Sequence, residues 1–449
     1  MVNKVLTISM LFLFSGVLLA QQGSLQKQLS LQDCINIALH KNTNVVQAQY
    51  NAQSQNARVL SAYGQLLPQL SATGQFSWQR SQISTGVLVG GVLFPFNQTT
   101  QSRRWQANVG ADYTLFNGFA NYAGIDQANS ASEAAGFSLD RTKQTAAYQT
   151  TVDYLGVFNA RDQLKISEDN LKRDQQQLET IKKENSVGSA SIADVYTQQA
   201  TVSADESALI QAKNAYDQAS AALKYYLGIP VTDSVEFADP TIVTQIDTTQ
   251  FPVLNERYRQ IADLLGTALK SRPDYNAAVQ NVSASKSQLS VAEAQYSPTI
   301  GAFAQYGISG PGVPQINQNK NLYAGLSLSL PIFNGFQTQT NIQVADVAVK
   351  SAKETLDATK RQVQLDIFQG LLNLYASEKQ YEAGINQVAS AKINLETEQE
   401  KYSIGSATLL DVLTANALYT SALSSRVMAA YSFIQAKQQI EYAIGTLKY

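Results

Sequence analysis

The sequence predicts an α+β membrane protein built by internal duplication, in which a transmembrane β-barrel continues into a long α-helical coiled-coil barrel. Three observations predict it: a set of landmarks repeated at a fixed offset, two long stretches without proline, and four segments of alternating apolar and polar residues.

The duplication comes first. Phe116-Asn117-Gly118-Phe119 returns as Phe333-Asn334-Gly335-Phe336, and 333 − 116 = 217. Val187-Gly188-Ser189-Ala190 returns at the same offset as Ile404-Gly405-Ser406-Ala407, and Leu223 to Gly228 as Ile440 to Gly445. Such constant spacing suits long helices that keep register with a neighbour, since loops tolerate insertion. Each half starts at a different offset: Pro68 matches Pro298, and 298 − 68 = 230. The difference, 230 − 217 = 13, is one insertion, which the sequence places in a glycine-bearing surface loop from Gln79 to Arg104.

Prolines are absent from residues 119 to 229 and 332 to 449, which leaves Phe119 to Ser186 and Phe336 to Ser403 free to form long helices. Each would be about 100 Å long at ~1.5 Å per residue. Val157, Leu164, Leu171 and Leu178 recur every seventh residue, in phase with Leu374, Tyr381, Val388 and Leu395 one repeat later, which is coiled-coil spacing. A globular bundle would show the same stripe but seldom needs such length. Beyond Gly188 and Gly405, returning helices are expected at Ser191 to Leu227 and Thr408 to Leu447. Helices at Leu31 to Gln65 and Ile261 to Tyr296 open the two halves, each stacking end to end on a returning helix.

A period of two appears between the helices. Leu70 to Trp78, Trp105 to Leu115, Ile300 to Ile308 and Leu322 to Leu330 each alternate apolar with small or polar residues. Each run is near the ~9 to 11 residues that a tilted strand needs to cross a bilayer, and aromatic residues such as Trp78 and Trp105 stand near their ends. Four strands cannot enclose a lumen, and an open edge in lipid strands unsatisfied backbone groups. The chain must therefore oligomerise: three copies give twelve strands, enough for a channel. The expected divisions are a secretory signal peptide at 1–20, a first repeat at 21–228 with its β-hairpin at 69–116, an equatorial linker at 229–258, and a second repeat at 259–449 with its β-hairpin at 299–332.

Composition excludes several functions. Charged residues are 15% of the chain and the formal net charge is −2, so there is no polybasic footprint for nucleic acid. One histidine, His40, and one cysteine, Cys34, offer no nucleophile, metal or cofactor constellation, so no enzyme is expected. Cys34 reads as a buried small apolar residue and His40 as a helix-surface residue.

The chain resembles the TolC-type outer-membrane efflux family over the whole mature sequence. The resemblance rests on Phe116-Asn117-Gly118 and Phe333-Asn334-Gly335, the run from Ala268 to Asp274, and the paired tips at Val187-Gly188 and Ile404-Gly405. It implies an outer-membrane homotrimer with a twelve-stranded barrel set in lipid, an α-helical tunnel through the periplasm, and a small equatorial domain. It also implies a periplasmic adaptor protein and an inner-membrane RND pump or ABC exporter, with this chain as the passive exit duct for small molecules such as drugs. The same fold would serve type I protein secretion. A more distant alternative, a periplasmic coiled-coil interaction protein, leaves the strands unexplained.

In that family inward-coiling helices close the periplasmic end, and aspartates line the constriction. The resemblance puts Asp411 at one such position and Thr414 at a second, acidic in the family. It matches Tyr402 and Asp194 to residues that pair across helices, with Ala407 in place of the family arginine. The tips Val187, Gly188, Ser189 and Ile404, Gly405, Ser406 would dock the adaptor. Ser191 with Asp194 and Thr408 with Asp411 equally fit helix caps, and a cap at the tip can also face the lumen.

Overall fold

The computed structural model describes residues 28–238, 246, 251 and 261–448. The expected signal peptide at 1–20 and most of the 229–258 linker lie outside the described residues.

The chain begins with a two-residue strand β1 (Gln28–Leu29), followed by helices α1 (Leu31–Lys41) and α2 (Thr43–Gly64). A hairpin of β2 (Gln69–Val89) and β3 (Val92–Asn117) leads into α3 (Ala120–Ser186) and its returning partner α4 (Ile192–Tyr226). After β4 (Glu236–Phe237), which pairs in parallel with β1, the plan repeats. Its second run is α5 (Ile261–Ser271), α6 (Pro273–Glu293), β5 (Thr299–Gly310), β6 (Asn319–Ser329), α7 (Gln337–Ser403) and α8 (Leu409–Ile444). The helices α3 and α7 both run 67 residues. Of the heptad stripe, Val157, Leu178, Leu374 and Leu395 are buried.

Each opening helix is broken once, where the sequence suggested a continuous run. Asn42 leaves helical geometry and caps α2 by accepting from Asn44 N at 3.0 Å, while its Nδ2 donates to the carbonyl of Tyr226, 3.0 Å away at the end of α4. In the second half Arg272 leaves helical geometry and Pro273 starts α6, since proline lacks an N–H that the first helical turn does not use. Arg272 Nη1 donates to Ala443 O at 3.0 Å, and Ser271 Oγ donates to Ile444 O at 2.8 Å. The breaks thus let α2 continue the line of α4, and α6 that of α8.

The sheet order is β2-β3-β5-β6, all antiparallel. Register puts Leu70, Phe76, Val109, Tyr306, Leu322 and Leu326 on one face, and Ser71, Thr73, Asn108, Asp112, Gln305 and Asn321 on the other. Phe76 packs against Trp105, ring centroids 4.6 Å apart, at the level where β5 ends opposite Gly310. No helix among the described residues is long and apolar enough to cross a membrane.

The Gln79 to Arg104 loop is corrected. All of it is paired strand except Gly90 and Gly91, which hold φ +62° and +85° at the turn. Two successive positive φ values define the tight hairpin turn whose twist matches its strands, and Gly-Gly supplies both without strain. The insertion therefore lengthens a ribbon that runs about 40 Å beyond the four-stranded part at ~3.3 Å per residue. In the second hairpin the connection is short: β5 holds Ser309 and Gly310, β6 holds Asn319 and Lys320, and a 3₁₀ turn at Val313–Gln315 lies between.

Strand passes to helix through two superimposable turns. Gly118 and Phe119 both adopt left-handed φ near +65°, as do Gly335 and Phe336. A left-handed phenylalanine costs ~1 to 2 kcal/mol, and each is held by an edge-to-face ring contact, Phe116–Phe119 and Phe333–Phe336, both 5.5 Å between centroids. Asn117 then accepts from Asn121 N, and Asn334 from Thr338 N, fastening the first helical turn.

Apolar cores lie at the junction level. Cys34, Tyr154, Leu155, Phe158, Leu223 and Leu227 form the first, and Ile367, Leu374, Phe433, Ile440 and Ile444 its counterpart. The Cys34 thiol is fully buried, and burial, aided by the Asp33 charge, pushes its pKa up to about 12. His40 is exposed, as expected.

Candidate functional site at the helical tips

The far ends of the two helix pairs are built alike. At the end of α3, Gly188 takes φ +83° and lets Ser189 N reach back to Glu184 O at 2.9 Å. At the end of α7, Gly405 takes φ +76° and Ser406 N bonds Lys401 O at 2.9 Å. These are left-handed helix stops, which glycine adopts without a Cβ penalty. Val187 and Ile404 are 79% and 74% exposed, so each tip presents an aliphatic side chain beside bare backbone.

Both aspartates are caps. Asp194 Oδ2 accepts from Ser191 N at 3.2 Å and Ser191 Oγ at 2.7 Å, while Ser191 Oγ accepts from Asp194 N at 3.0 Å. Thr408 and Asp411 repeat this at 2.8, 2.7 and 3.4 Å. The Thr408 hydroxyl, then its N–H, stabilises the Asp411 carboxylate, so its pKa falls below the ordinary aspartate value. Asp411 is exposed and stays ionised through the neutral range. Thr414 is exposed one turn on, with its hydroxyl donated to Leu410 O at 2.8 Å.

Tyr402 joins the two helix pairs, but its hydrogen bond runs to Glu184 Oε2 of α3, at 3.4 Å. Burial first, then the Glu184 and Asp194 charges, raise the Tyr402 pKa, so the phenol remains a donor. Asp194 is thus near Tyr402 but committed to its cap. Glu184 carries no sequence signal, because only the pairing of α3 against α7 brings it to the tyrosine. Below the polar contacts, Ile181, Val195 and Leu409 are buried together, with Tyr402 and Leu413 packed against them.

A second polar cluster sits 13 residues along α3 from Val187, about 20 Å from the tip at ~1.5 Å per residue. Asp174 is 4% exposed and accepts from Asn416 Nδ2 of α8 at 3.0 Å and from Gln198 Nε2 of α4 at 3.2 Å. Arg173 donates to Thr420 Oγ1 of α8 at 2.9 Å and to Asn170 Oδ1 at 3.0 Å. No motif marks these residues, whose partners are far away in sequence.

The outer membrane efflux protein family matches the chain over residues 34–229 and 264–446. Outer membrane protein TolC of Escherichia coli strain K12 is 27% identical over 383 residues, covering 76% of this chain and 74% of that protein. The pyoverdine export outer membrane protein OpmQ of Pseudomonas putida is 22% identical over 416 residues, covering 92% of this chain and 85% of that protein. Among solved structures, the Campylobacter jejuni CmeC outer membrane channel superimposes with a TM-score of 0.76 at 16% identity, covering 93% of this chain and 85% of that one.

Proposed function

Because the chain belongs to the outer membrane efflux protein family, we propose that it is the outer-membrane exit duct of a tripartite efflux pump, working as a homotrimer. The observation that carries this is one sheet with an apolar and a polar face and two open edges, continuous with helix pairs of matched length.

The repeat supports the ring. Within one chain β3 pairs with β5, which joins the two halves, and β6 against β2 of the next copy would be the equivalent junction. Likewise α6 packs between α3 and α7 and buries Pro273, Ala277, Ala278, Val282 and Ala292, whereas its counterpart α2 buries only Val45. The bare side of α2 fits α7 of a neighbouring copy. Three copies bring twelve strands around a lumen, and the apolar faces meet outer-membrane lipid. The two structural repeats, joined by the 229–258 linker, are then six quasi-equivalent staves.

In this reading the tips at Val187-Gly188-Ser189 and Ile404-Gly405-Ser406 dock a periplasmic adaptor, which delivers substrate from an inner-membrane pump. A Cβ on Gly188 or Gly405 meets open space, so substitution there strains only the left-handed backbone, by ~1 to 2 kcal/mol. Gly188→Val and Gly405→Val should abolish efflux of drugs in cells that depend on this duct, while a detergent-resistant trimer persists on gels. Full efflux by both variants removes the tips from the docking surface, and a chain that is only monomeric overturns the ring. Genes for an ABC exporter beside this one, with a secreted protein as substrate, would favour type I secretion instead.

Asp411, with Thr414, Asp194 and Tyr402 around it, is proposed as the periplasmic constriction. Threefold symmetry would gather three ionised Asp411 carboxylates. Asp411→Ala should then reduce cation selectivity of single trimers in planar bilayers. Unchanged selectivity, with helix α8 less stable, would leave Asp411 as a cap alone.

A further inference from the structure

We propose that Asp174 and Asp205, beside Asn416 from the opposite helix pair, form a proton-operated latch that fastens α4 to α3 at acidic pH and loosens above neutrality. The proposal rests on the duct reading for its consequence in transport, and on this cluster alone for its chemistry.

Asp205 of α4 accepts from Asn170 Nδ2 at 2.9 Å, and its second oxygen is buried without a donor. That orphan is explained by Asp174. Two ionised carboxylates cannot hydrogen-bond each other, but one proton between them makes the link. Burial first, then hydrogen bonding and charge from Asp174, raise the Asp205 pKa to about 7, against opposing effects of Asn170 and Arg173. The charged or titratable groups facing Asp205 are Asp174 and Arg173 of α3. The contribution of α8 is neutral: Asn416 and Thr420 on the cluster, and the Tyr419 ring 5.6 Å from the Arg173 guanidinium.

Comparison of the two halves shows that packing does not require this network. One repeat later, at the offset of 217, Asp174 becomes Ala391, Gln198 becomes Ala415, and Asp205 becomes Ala422. Ala415 and Ala422 are 1% and 0% exposed, so alanine fills the same helix interface in the second half. A buried carboxylate pair is costly beside alanine, and here it occurs only in the half that bonds α8 of the same chain.

The sign follows from proton counting. In a loosened arrangement Asp205 regains the ordinary aspartate value near 3.9. The latched state therefore binds more protons between that value and about 7, and its stability falls as pH rises through this range. Asp411, held below the ordinary value, does not titrate there.

The test compares native trimers with Asp174→Ala/Asp205→Ala, which copies the solution of the second half and so should fold. Native conductance in planar bilayers should be roughly threefold or more lower at pH 5.5 than at pH 8, as one exchanged proton allows, and the double variant should be flat. A flat native profile, or one that survives in the double variant, overturns the latch. Amide hydrogen exchange, corrected for intrinsic rate, gives a second readout whether or not the chain conducts. Residues 170–178 and 201–209 should be better protected at pH 5.5 in the native protein only, and equal protection at both pH values overturns the proposal. Detergent-resistant trimers without conductance at any pH would count against the duct reading alone.

Discussion

Replacing Arg272 by alanine is expected to produce the largest loss of stability of any single side-chain truncation in the equatorial region, about 3 kcal/mol. The guanidinium is 2% exposed and makes four hydrogen bonds to three partners: Asp274 at 3.0 and 2.6 Å, Asp366 at 2.7 Å, and the carbonyl of Ala443 at 3.0 Å, with Arg141 Nε standing 3.6 Å from Asp274. Burial opposes its charge, and the hydrogen bonds and charges of Asp274 and Asp366 more than offset that, leaving its pKa above the ordinary value. Removing one partner of a buried ion pair costs ~3 to 5 kcal/mol, because the remaining charge is left unpaired. The lower end applies, since Asp274 and Asp366 are 29% and 28% exposed. Thermal unfolding followed by circular dichroism measures it, and a loss under about 1 kcal/mol would show that water replaces the guanidinium. Burial works against the Asp274 carboxylate, but Arg272, then Arg141, hold its pKa below the ordinary value. Its contribution is thus present above about pH 4 and lost as pH falls through the lowered value. The native protein should lose stability in that acidic range, and Arg272→Ala should lose less of it.

Gly118→Ala is expected to cost about 2 to 5 kcal/mol. A Cβ there would stand 2.5 Å from Ser297 Cβ and 2.9 Å from Ala294 O, with φ at +65°. Backbone strain contributes ~1 to 2 kcal/mol and overpacking a further ~1 to 3. Gly335 has the same φ, but within one chain nothing lies within 4 Å of its Cβ position. Gly335→Ala should therefore cost the folded monomer only the strain, about 1 to 2 kcal/mol. The repeat adds a distinction: Ser297 corresponds to Leu67 at the offset of 230, and in the proposed ring Leu67 of a neighbour would approach Gly335. Gly118→Ala should then reduce folding of the monomer, and Gly335→Ala should mainly reduce trimer yield. Equal effects on monomer folding would contradict this division, and an undiminished trimer yield in Gly335→Ala would speak against the neighbour's approach.

The helices and sheet were legible because their signals are periodic and local. Heptad spacing, alternation in the strands and the repeated Asn-Gly-Phe turns placed α3, α7 and the four-stranded part of the sheet within about three residues. The 13-residue insertion was legible as a length but misread as a loop. Gly86, Gly90, Gly91 and Pro95 carry the signal of a loop, and only strand pairing around Gly90-Gly91 made a ribbon of it. The caps at Asp194 and Asp411 were readable because a capping box spans four residues. Glu184 was not readable as the partner of Tyr402, because that choice depends on how α3 lies against α7.

By itself the sequence determined the duplication, the helix lengths, the amphipathic strands and the glycine stops, since each depends on steric and hydrophobic preferences of neighbouring residues. Its repeat also held an unused signal, in that Asp174 and Asp205 face Ala391 and Ala422 across the offset. Tertiary structure alone decided that Arg272 and Asn42 close the helix junctions and that Asp174, Asp205 and Asn416 meet. Hydrogen bonds and buried charge act over a few ångströms between residues hundreds of positions apart, and only packing brings those side chains within reach.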